Sequence, residues 1–409
     1  MTARNDAPWL FCQLGAREHY ILPRGFHRRG RLRALITEAW APPGGIAARA
    51  PGSLGRKFAD RFSSDLADAP VEDFTGSAIA FELVGRVRRR APAGWPAIMT
   101  RNAWFEKHVV ARMRDKHLLA DRPTVFAYSY AALGILRAAR DAGCRTVLGQ
   151  IDPAITEENI VADAVTRDAR LLPDWERAPA AYWARWREEC AMADHIVVNS
   201  PWAHAGLTAA GIDAAKLAVV PLAYDAASGV APRQYPAQFD DARPLRVLFL
   251  GSLVIRKGIA ELLDAAALLA AAPVEFHLVG GAGIVFPPEV LANPKIVRHG
   301  AVSRGAAAAH YAAADLFILP SLSDGFGLTQ IEASSHRLPV IASRHCGDVV
   351  RDGVDGLLLA EVTGAAIAAA IGRYIGSPAM LAAHAEATNA MQCRFAPDTV
   401  VGQLIEAVA

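Results

Sequence analysis

Short apolar runs alternate with helical stretches along nearly the whole chain, and the alternation stops once and then restarts. Strand, helix, strand in that rhythm is the pattern of parallel sheets, because a parallel strand can be reached only by a crossover that lies on the sheet face. Residues 225–244 lose all period and hold three prolines, which predicts a linker between two α/β units. The expected division is 1–225, a linker at 226–244, and a second unit at 245–391, followed by a last segment at 392–409. A chain of 409 residues with 53% apolar content is long enough to give each unit its own core.

Strands are predicted at 8–14, 32–39, 124–128, 145–149, 195–198 and 217–221 in the first half, and at 245–250, 275–279, 296–298, 316–320 and 340–342 in the second. Helices are predicted from Ala16, over 76–90, 96–118 and 177–193, after Asn199-Ser-Pro, from Gly258, over 304–313, and as one long element at 364–390. Residues 41–75, rich in Gly, Pro and Ala, read as a long loop with room for one short helix.

Two loops in the second half carry chemistry. Gly251-Ser-Leu-Val-Ile-Arg-Lys-Gly258 lies between a strand and a helix, where an open parallel sheet receives ligands. Arg256 and Lys257 add fixed positive charge at a helix start that already favours anions, so a diphosphate is the natural guest. About seventy residues on, Ser321-Leu-Ser-Asp-Gly-Phe-Gly-Leu-Thr-Gln-Ile-Glu332 again joins a strand to a helix. Gly325 and Gly327 allow a ligand to approach the main chain. The carboxylates of Asp324 and Glu332 can each accept hydrogen bonds from sugar or ribose hydroxyls.

The second loop resembles the Glu-x7-Glu signature of the retaining family 4 glycosyltransferases, enzymes of the GT-B fold. The first is similar to their Gly-Arg-Leu-x-x-x-Lys-Gly element. Further similarity runs through Ala193–Ser200, Val219–Asp225, His277–Gly281, Ala312–Ser321 and Ile341–Leu359; it is strong over about 190–360 and absent over 41–118. The resemblance implies two Rossmann-like domains whose parallel sheets face each other across a cleft, with 392–409 packing back on the first. It also implies transfer of a hexosyl group from a UDP- or GDP-sugar to a glycan, glycolipid or other hydroxyl acceptor, with retained configuration, in bacterial polysaccharide or envelope synthesis.

Carried over residue by residue, Lys257 would neutralise the leaving diphosphate and Asp324 would hold sugar hydroxyls; Arg256, which stands beside the family's Lys position and not at its Arg position, could add the second charge. Gly251, Ser252, Gly281, Gly325, the main chain of Phe326, Gly327 and Leu328, and Glu332 would bind the rest of the donor. Two positions depart from the family: Ser252 stands where an Arg is usual, and Asp324 where a Glu is. On the acceptor side the candidates are Gly15 and His19 after the first strand, Tyr128 after the strand at 124–128, and Gln150 and Asp152 where relatives often place a His. Tyr128 and its neighbours Ser129 and Tyr130 could form a sugar wall or a buried support, and Asp152 a site residue or a plain Asp-Pro turn.

With no Asp-x-Asp and no paired cysteines among the five present, neither a metal, a disulfide framework nor any cofactor is expected. A nicotinamide site rests only on Gly281-Ala-Gly283, which lacks the rest of that fingerprint. A phosphorylase, an epimerase or an inactive scaffold would share the same phosphate loop. The first 150 residues hold 24 Lys and Arg against 13 Asp and Glu, while the whole chain is at +2. The basic clusters at Arg24–Arg33 and Arg86–Arg90 could meet an anionic membrane; no nucleic-acid module accompanies them. With no leader and no long apolar run visible, the expected location is the cytoplasm, with peripheral contact to the inner face of the membrane.

Overall fold

A computed structural model describes residues 7–45, 58, 61–87, 94–226 and 229–409. The first sheet contains β1 (Trp9–Gln13), β2 (Leu32–Thr37), β3 (Val71–Asp73), β4 (Thr124–Tyr128), β5 (Thr146–Gln150), β6 (His195–Val198) and β7 (Leu217–Val219). Their order is β3-β2-β1-β4-β5-β6-β7, parallel throughout. The second sheet contains β8 (Leu245–Leu250), β9 (Val274–Val279), β10 (Ile296–Gly300), β11 (Leu316–Leu319), β12 (Val340–Ser343) and β13 (Gly356–Leu359). Its order is β10-β9-β8-β11-β12-β13, again all parallel. Each sheet grows outward in both directions from its first strand, so each has one point where the order reverses. That point lies between β1 and β4 in one sheet and between β8 and β11 in the other, and ligands bind there outside the carboxyl ends of the strands.

The central strands are covered on both faces and are near-continuous apolar runs, as Trp-Leu-Phe-Cys before Gln13 in β1 and Leu-Phe-Ile-Leu in β11 show. Leu248 of β8 lies between His277 of β9 and Phe317 of β11. One apolar core fills the second sheet's two faces. Two others lie on opposite faces of the first. The helix Pro397–Ala407 gives Val400, Val401 and Leu404 to the core that also holds Trp9, Phe11 and Phe126. The chain therefore ends on the first sheet. A methyl group at Gly25 would stand 2.6 Å from Val401 Cγ2, so the two helices meet backbone to side chain.

Several elements differ from the sequence reading. β3 lies in the stretch read as a loop; Val-Glu-Asp is too short to show a period, and pairing with β2 creates it. β13 and the helix Ile155–Arg167 had no assignment. The long last helix is two, Gly364–Gly376 and Pro378–Ala387, bent by 98° where Ser377 caps the second and Pro378 opens it. No helix starts at Ala16. Glu18, His19 and Tyr20 take left-handed angles in succession, and the helix begins at Ile21. Residues 46–57, 59–60 and 88–90, within the stretches read as a long loop and a helix, lie outside the described residues.

Within the stretch read as a linker, residues 233–243 are bound to the second unit. The Arg233 guanidinium donates to the carbonyls of Tyr311, Ala314 and His336, at the carboxyl ends of two helices, at 2.5 to 2.9 Å. Those ends carry partial negative charge and orphan acceptors, which a guanidinium satisfies. Arg243 binds Asp315 through two bonds of 2.7 Å. Arg233→Ala is expected to cost about 2–3 kcal/mol, read as a lowered midpoint in urea unfolding.

Candidate active site

The two loops singled out above leave adjacent strands, β8 and β11, at the switch point of the second sheet. After β8 the chain turns through Gly251 (φ 144°) into a short 3-10 turn, Ile255–Lys257, and then Gly258 (φ 70°) opens the helix Ile259–Leu268. A Cβ at Gly258 would fall 1.9 Å from the carbonyl oxygen of Pro320, so only glycine lets the two loops close on each other. Gly280 plays the same part behind them: its Cβ would meet the Gly251 carbonyl at 1.8 Å.

This approach brings Lys257 Nζ and an Arg256 terminal nitrogen each to 3.1 Å from Asp324 Oδ2. Burial pushes the Asp324 carboxyl up, but Lys257 and Arg256 outweigh it and hold the group at about 2. Its other oxygen accepts the Phe326 N–H at 3.3 Å. The Phe326 ring points away, into a cluster with Ile331, Val349 and Phe395. Its carbonyl is taken by Gly347 and Gln330. No acceptor among the described residues takes the N–H of Gly327 or Leu328.

Glu332, in the following helix Thr329–Ser335, accepts the Tyr311 hydroxyl at 2.7 Å. Burial, and then the Glu332 charge, push the Tyr311 phenol well above its ordinary range. Burial pushes the Arg304 guanidinium down, against the opposing charge of Glu332. Ser252 is exposed, and Gly281 faces open space while Gly280 bears the close contact.

The first unit reaches into this site through residues to which the sequence reading assigned no site role. Glu157, in the helix Ile155–Arg167, accepts the Ser323 hydroxyl at 3.0 Å and lies 3.7 Å from Arg256. Trp202 donates to Ser323 at 3.1 Å and stacks on His345 at 4.2 Å. Ser200 donates to the Gly325 carbonyl at 2.7 Å. A Cβ at Gly325 would meet the Ile151 carbonyl at 1.9 Å, so this glycine is required by the contact between the two units.

Burial raises the Glu157 carboxyl, and Asp152 and Asp324 add to it against the opposing Arg256. A raised carboxyl contributes stability that is complete below its ordinary range and lost as pH rises through the folded value. Glu18, half-buried, and Glu189, buried, are each raised to about 7 by desolvation and act in the same sense. Thermal stability is therefore expected to fall as pH rises from about 4.5 towards 8, and Glu157→Gln should flatten that slope in melting curves.

Of the acceptor-side candidates, Gly15 (φ 95°) gives its N–H to Glu38 and receives Gln13 on its carbonyl at 2.9 Å. His19 is half-buried in the left-handed turn. Tyr128 is buried; its hydroxyl donates to Glu18 at 3.2 Å, with Arg17 over its ring at 5.2 Å. Gln150 spends its amide on Tyr130, Asp152 and Trp186, and so positions them. Asp152 accepts Tyr130 and the Ala154 N–H, and remains half-buried at the cleft. The structure brings Arg256, Lys257 and Asp324 together, and places Tyr128 with Asp152 on the wall of one cavity of the first unit. A cavity of 540 Å³, lined by Asp121, Arg145 and His195 among others, opens at the amino ends of the strands, away from both switch points.

Residues 244–377 match the family of glycosyl transferases group 1. A crystal structure of Anabaena Alr3699/HepE in complex with UDP and glucose superposes with a TM-score of 0.62 at 19% identity, covering 98% of this chain and 99% of the other. Sucrose-phosphate synthase from Thermosynechococcus elongatus gives 0.66 at 17%, with 98% of both chains covered. At such identities the likeness establishes the fold, which is GT-B. Among curated proteins, the lipopolysaccharide core biosynthesis mannosyltransferase LpcC of Rhizobium leguminosarum is 38% identical over 73 residues, 17% of this chain and 21% of its own. A D-inositol 3-phosphate glycosyltransferase of Streptomyces griseus is 35% identical over 103 residues, 25% and 22% of the two chains. The aligned stretches span about a fifth of these relatives' length.

Proposed function

We propose that this chain, whose residues 244–377 match the glycosyl transferases group 1 family and whose fold is GT-B, is a retaining glycosyltransferase taking a hexosyl group from a UDP- or GDP-sugar to a hydroxyl of a glycan or lipid-linked acceptor. The observation that carries the reading is the meeting of two distant loops at one switch point, with a buried lysine and a half-buried arginine sharing a single carboxylate oxygen. A nucleotide diphosphate entering there meets positive charge fixed in place before the reaction begins, which is worth most where water is excluded.

Lys257 and Arg256 neutralise the diphosphate as the anomeric C–O bond breaks. Arg256 supplies the charge that Ser252 cannot. Asp324 holds sugar hydroxyls, and Glu332, braced by Tyr311, takes the ribose. The acceptor oxygen attacks from the face the phosphate leaves, and its proton passes to the departing phosphate oxygen, so configuration is retained. These cations remove the need for a divalent ion, and turnover is expected to persist in a chelator. Among the described residues no group of three or more His, Cys, Asp or Glu side chains is placed to hold a metal.

The printed role of LpcC, lipopolysaccharide core biosynthesis, supports an envelope or polysaccharide acceptor; the name of the D-inositol 3-phosphate glycosyltransferase does not. Attachment to an anionic membrane has less support. Arg24, His27, Arg28 and Arg33 pair with Asp65, Asp68, Asp398 and Asp121, which leaves that face little unbalanced charge. Arg88–Arg90 lie outside the described residues, and nothing is described of the Arg86 side chain. No single helix is long and apolar enough to cross a membrane among the described residues. A cytoplasmic location, peripheral or not, belongs to the proposal.

The test is a thermal-shift panel of UDP-, GDP-, ADP- and dTDP-sugars, followed by detection of released nucleoside diphosphate. One UDP- or GDP-sugar should raise the melting temperature and be consumed. Stabilisation by none of the four would overturn the reading.

A further inference from the structure

We infer that an aromatic-walled chamber beside Glu157 is the acceptor subsite and takes an uncharged sugar ring of a glycan, not a phosphorylated polyol. The inference rests on the transferase reading above and names the acceptor class for it.

The chamber has a volume of 150 Å³ and lies where the helices Gly94–Asp115, Ile155–Arg167 and Ala180–Met192 converge. A cavity of about that size admits one six-membered ring. Trp95, Tyr130, Trp175, Tyr182 and Trp183 line it. Tyr130 and Tyr182 stack with centroids 5.2 Å apart, and Trp95 lies 4.9 Å from Tyr182. Trp95, Trp175 and Tyr182 are only half-buried, so they offer apolar surface to something that enters. Flat aromatic surfaces suit the C–H face of a pyranose, while polar groups at the edge fix its hydroxyls.

Those edge groups are carboxylates. Asp152, Glu157 and Glu158 line the chamber, and none of its lining residues is Lys or Arg. Glu158 is held by the indole of Trp183 at 3.0 Å and lies 3.6 Å from Arg177, which is not part of the wall. Ionised carboxylates only accept, so they match a ligand that presents hydroxyl donors. A phosphate ester would face three acidic side chains with no cation on the wall.

Position completes the case. Glu157 is at once a wall of the chamber and the acceptor of Ser323, the residue before Asp324. A ring held there borders the donor loop. Two of the non-glycine residues with positive φ, Tyr130 (75°) and Ala154 (55°), also sit on this wall. Such conformations are kept where the surroundings over-determine them, often at functional sites. A second cavity of 290 Å³ shares Trp95, Tyr130, Asp152 and Tyr182 with the first and offers room for a further ring; Arg17 lies on its wall.

The experiment measures transfer from the donor identified in the sugar-nucleotide panel. Acceptors are methyl α-glucoside, methyl α-mannoside and methyl α-galactoside, their short oligosaccharides, and the matching 6-phosphates with glycerol 3-phosphate. At least one neutral glycoside should be glycosylated, and the phosphorylated compounds should be poorer by tenfold or more in kcat/KM. Tyr182→Ala and, separately, Trp175→Ala should raise the acceptor KM at least tenfold while leaving the donor KM unchanged. Preference for a phosphorylated acceptor, or unchanged acceptor KM in both variants, would overturn the inference. Calorimetric UDP and GDP binding is run beside it. Binding with the wrong acceptor class defeats this inference alone, and no binding defeats the transferase reading with it.

Discussion

Lys257→Ala is expected to lower sugar-nucleotide turnover by about 10²–10³-fold, the usual cost of removing one preorganised charge from a developing anion. The size follows from burial. Lys257 is 9% exposed and its ammonium lies 3.1 Å from Asp324, so its charge is little screened by water and cannot be replaced by a neighbour on the surface. The fold should survive, because Arg256 stays 3.1 Å from the same carboxylate and keeps it paired. Turnover and melting temperature measured on one preparation separate the two effects. Asp324→Asn should behave differently: transfer falls, but nucleoside diphosphate binds at least as well, since the carboxylate no longer competes with phosphate for the two cations. A loss of nucleotide affinity in Asp324→Asn would show that this carboxylate aids the phosphate site, contrary to the account.

Gly258→Ala is expected to be the most damaging single methyl group. The backbone there is left-handed at φ 70°, which costs a residue with a Cβ roughly 1–2 kcal/mol. The Cβ would also lie 1.9 Å from the Pro320 carbonyl, a backbone atom at the end of β11 that cannot swing away. The β8 and β11 loops must then part, and with them the contacts of the site; a total on the order of 4 kcal/mol or more fits the class of buried strain and packing defects. Gly281→Ala is the control. Open space surrounds that position, so the change should stay within about 0.5 kcal/mol. Urea unfolding of both variants reads the difference.

How far the sequence could be read follows from where each signal sits. Arg256, Lys257, Asp324 and Glu332 lie in short runs that join a strand to a helix, so their place at the ends of β8 and β11 follows from local period and turn chemistry alone. The parallel α/β character was legible for the same reason, since buried central strands such as Leu245–Leu250 are continuous apolar runs. β3 was not, because an edge strand of three residues borrows its conformation from β2. The bend at Pro378 is legible in the proline, which local rules mark as a stop, but apolar period continues on both sides and favours one long helix. Glu157, Ser200 and Trp202 are a separate case. Their partners Ser323 and Gly325 lie more than a hundred residues away in the chain, and only the packing of one sheet unit on the other brings them together. The aromatic chamber was legible only in Tyr130 and Asp152, which follow strand ends; Trp95 and Tyr182 belong to different helices, and their meeting is a tertiary fact.

Titrating UDP and GDP calorimetrically into the wild type, Lys257→Ala and Glu332→Ala bears most directly on whether the cationic and acidic loops grip one nucleotide. The account predicts one site per chain for UDP or GDP, weakened by about tenfold or more in each variant, a loss of about 1.4 kcal/mol or greater. If neither nucleotide binds, or if both variants bind as tightly as the wild type, the two loops do not form a common donor site.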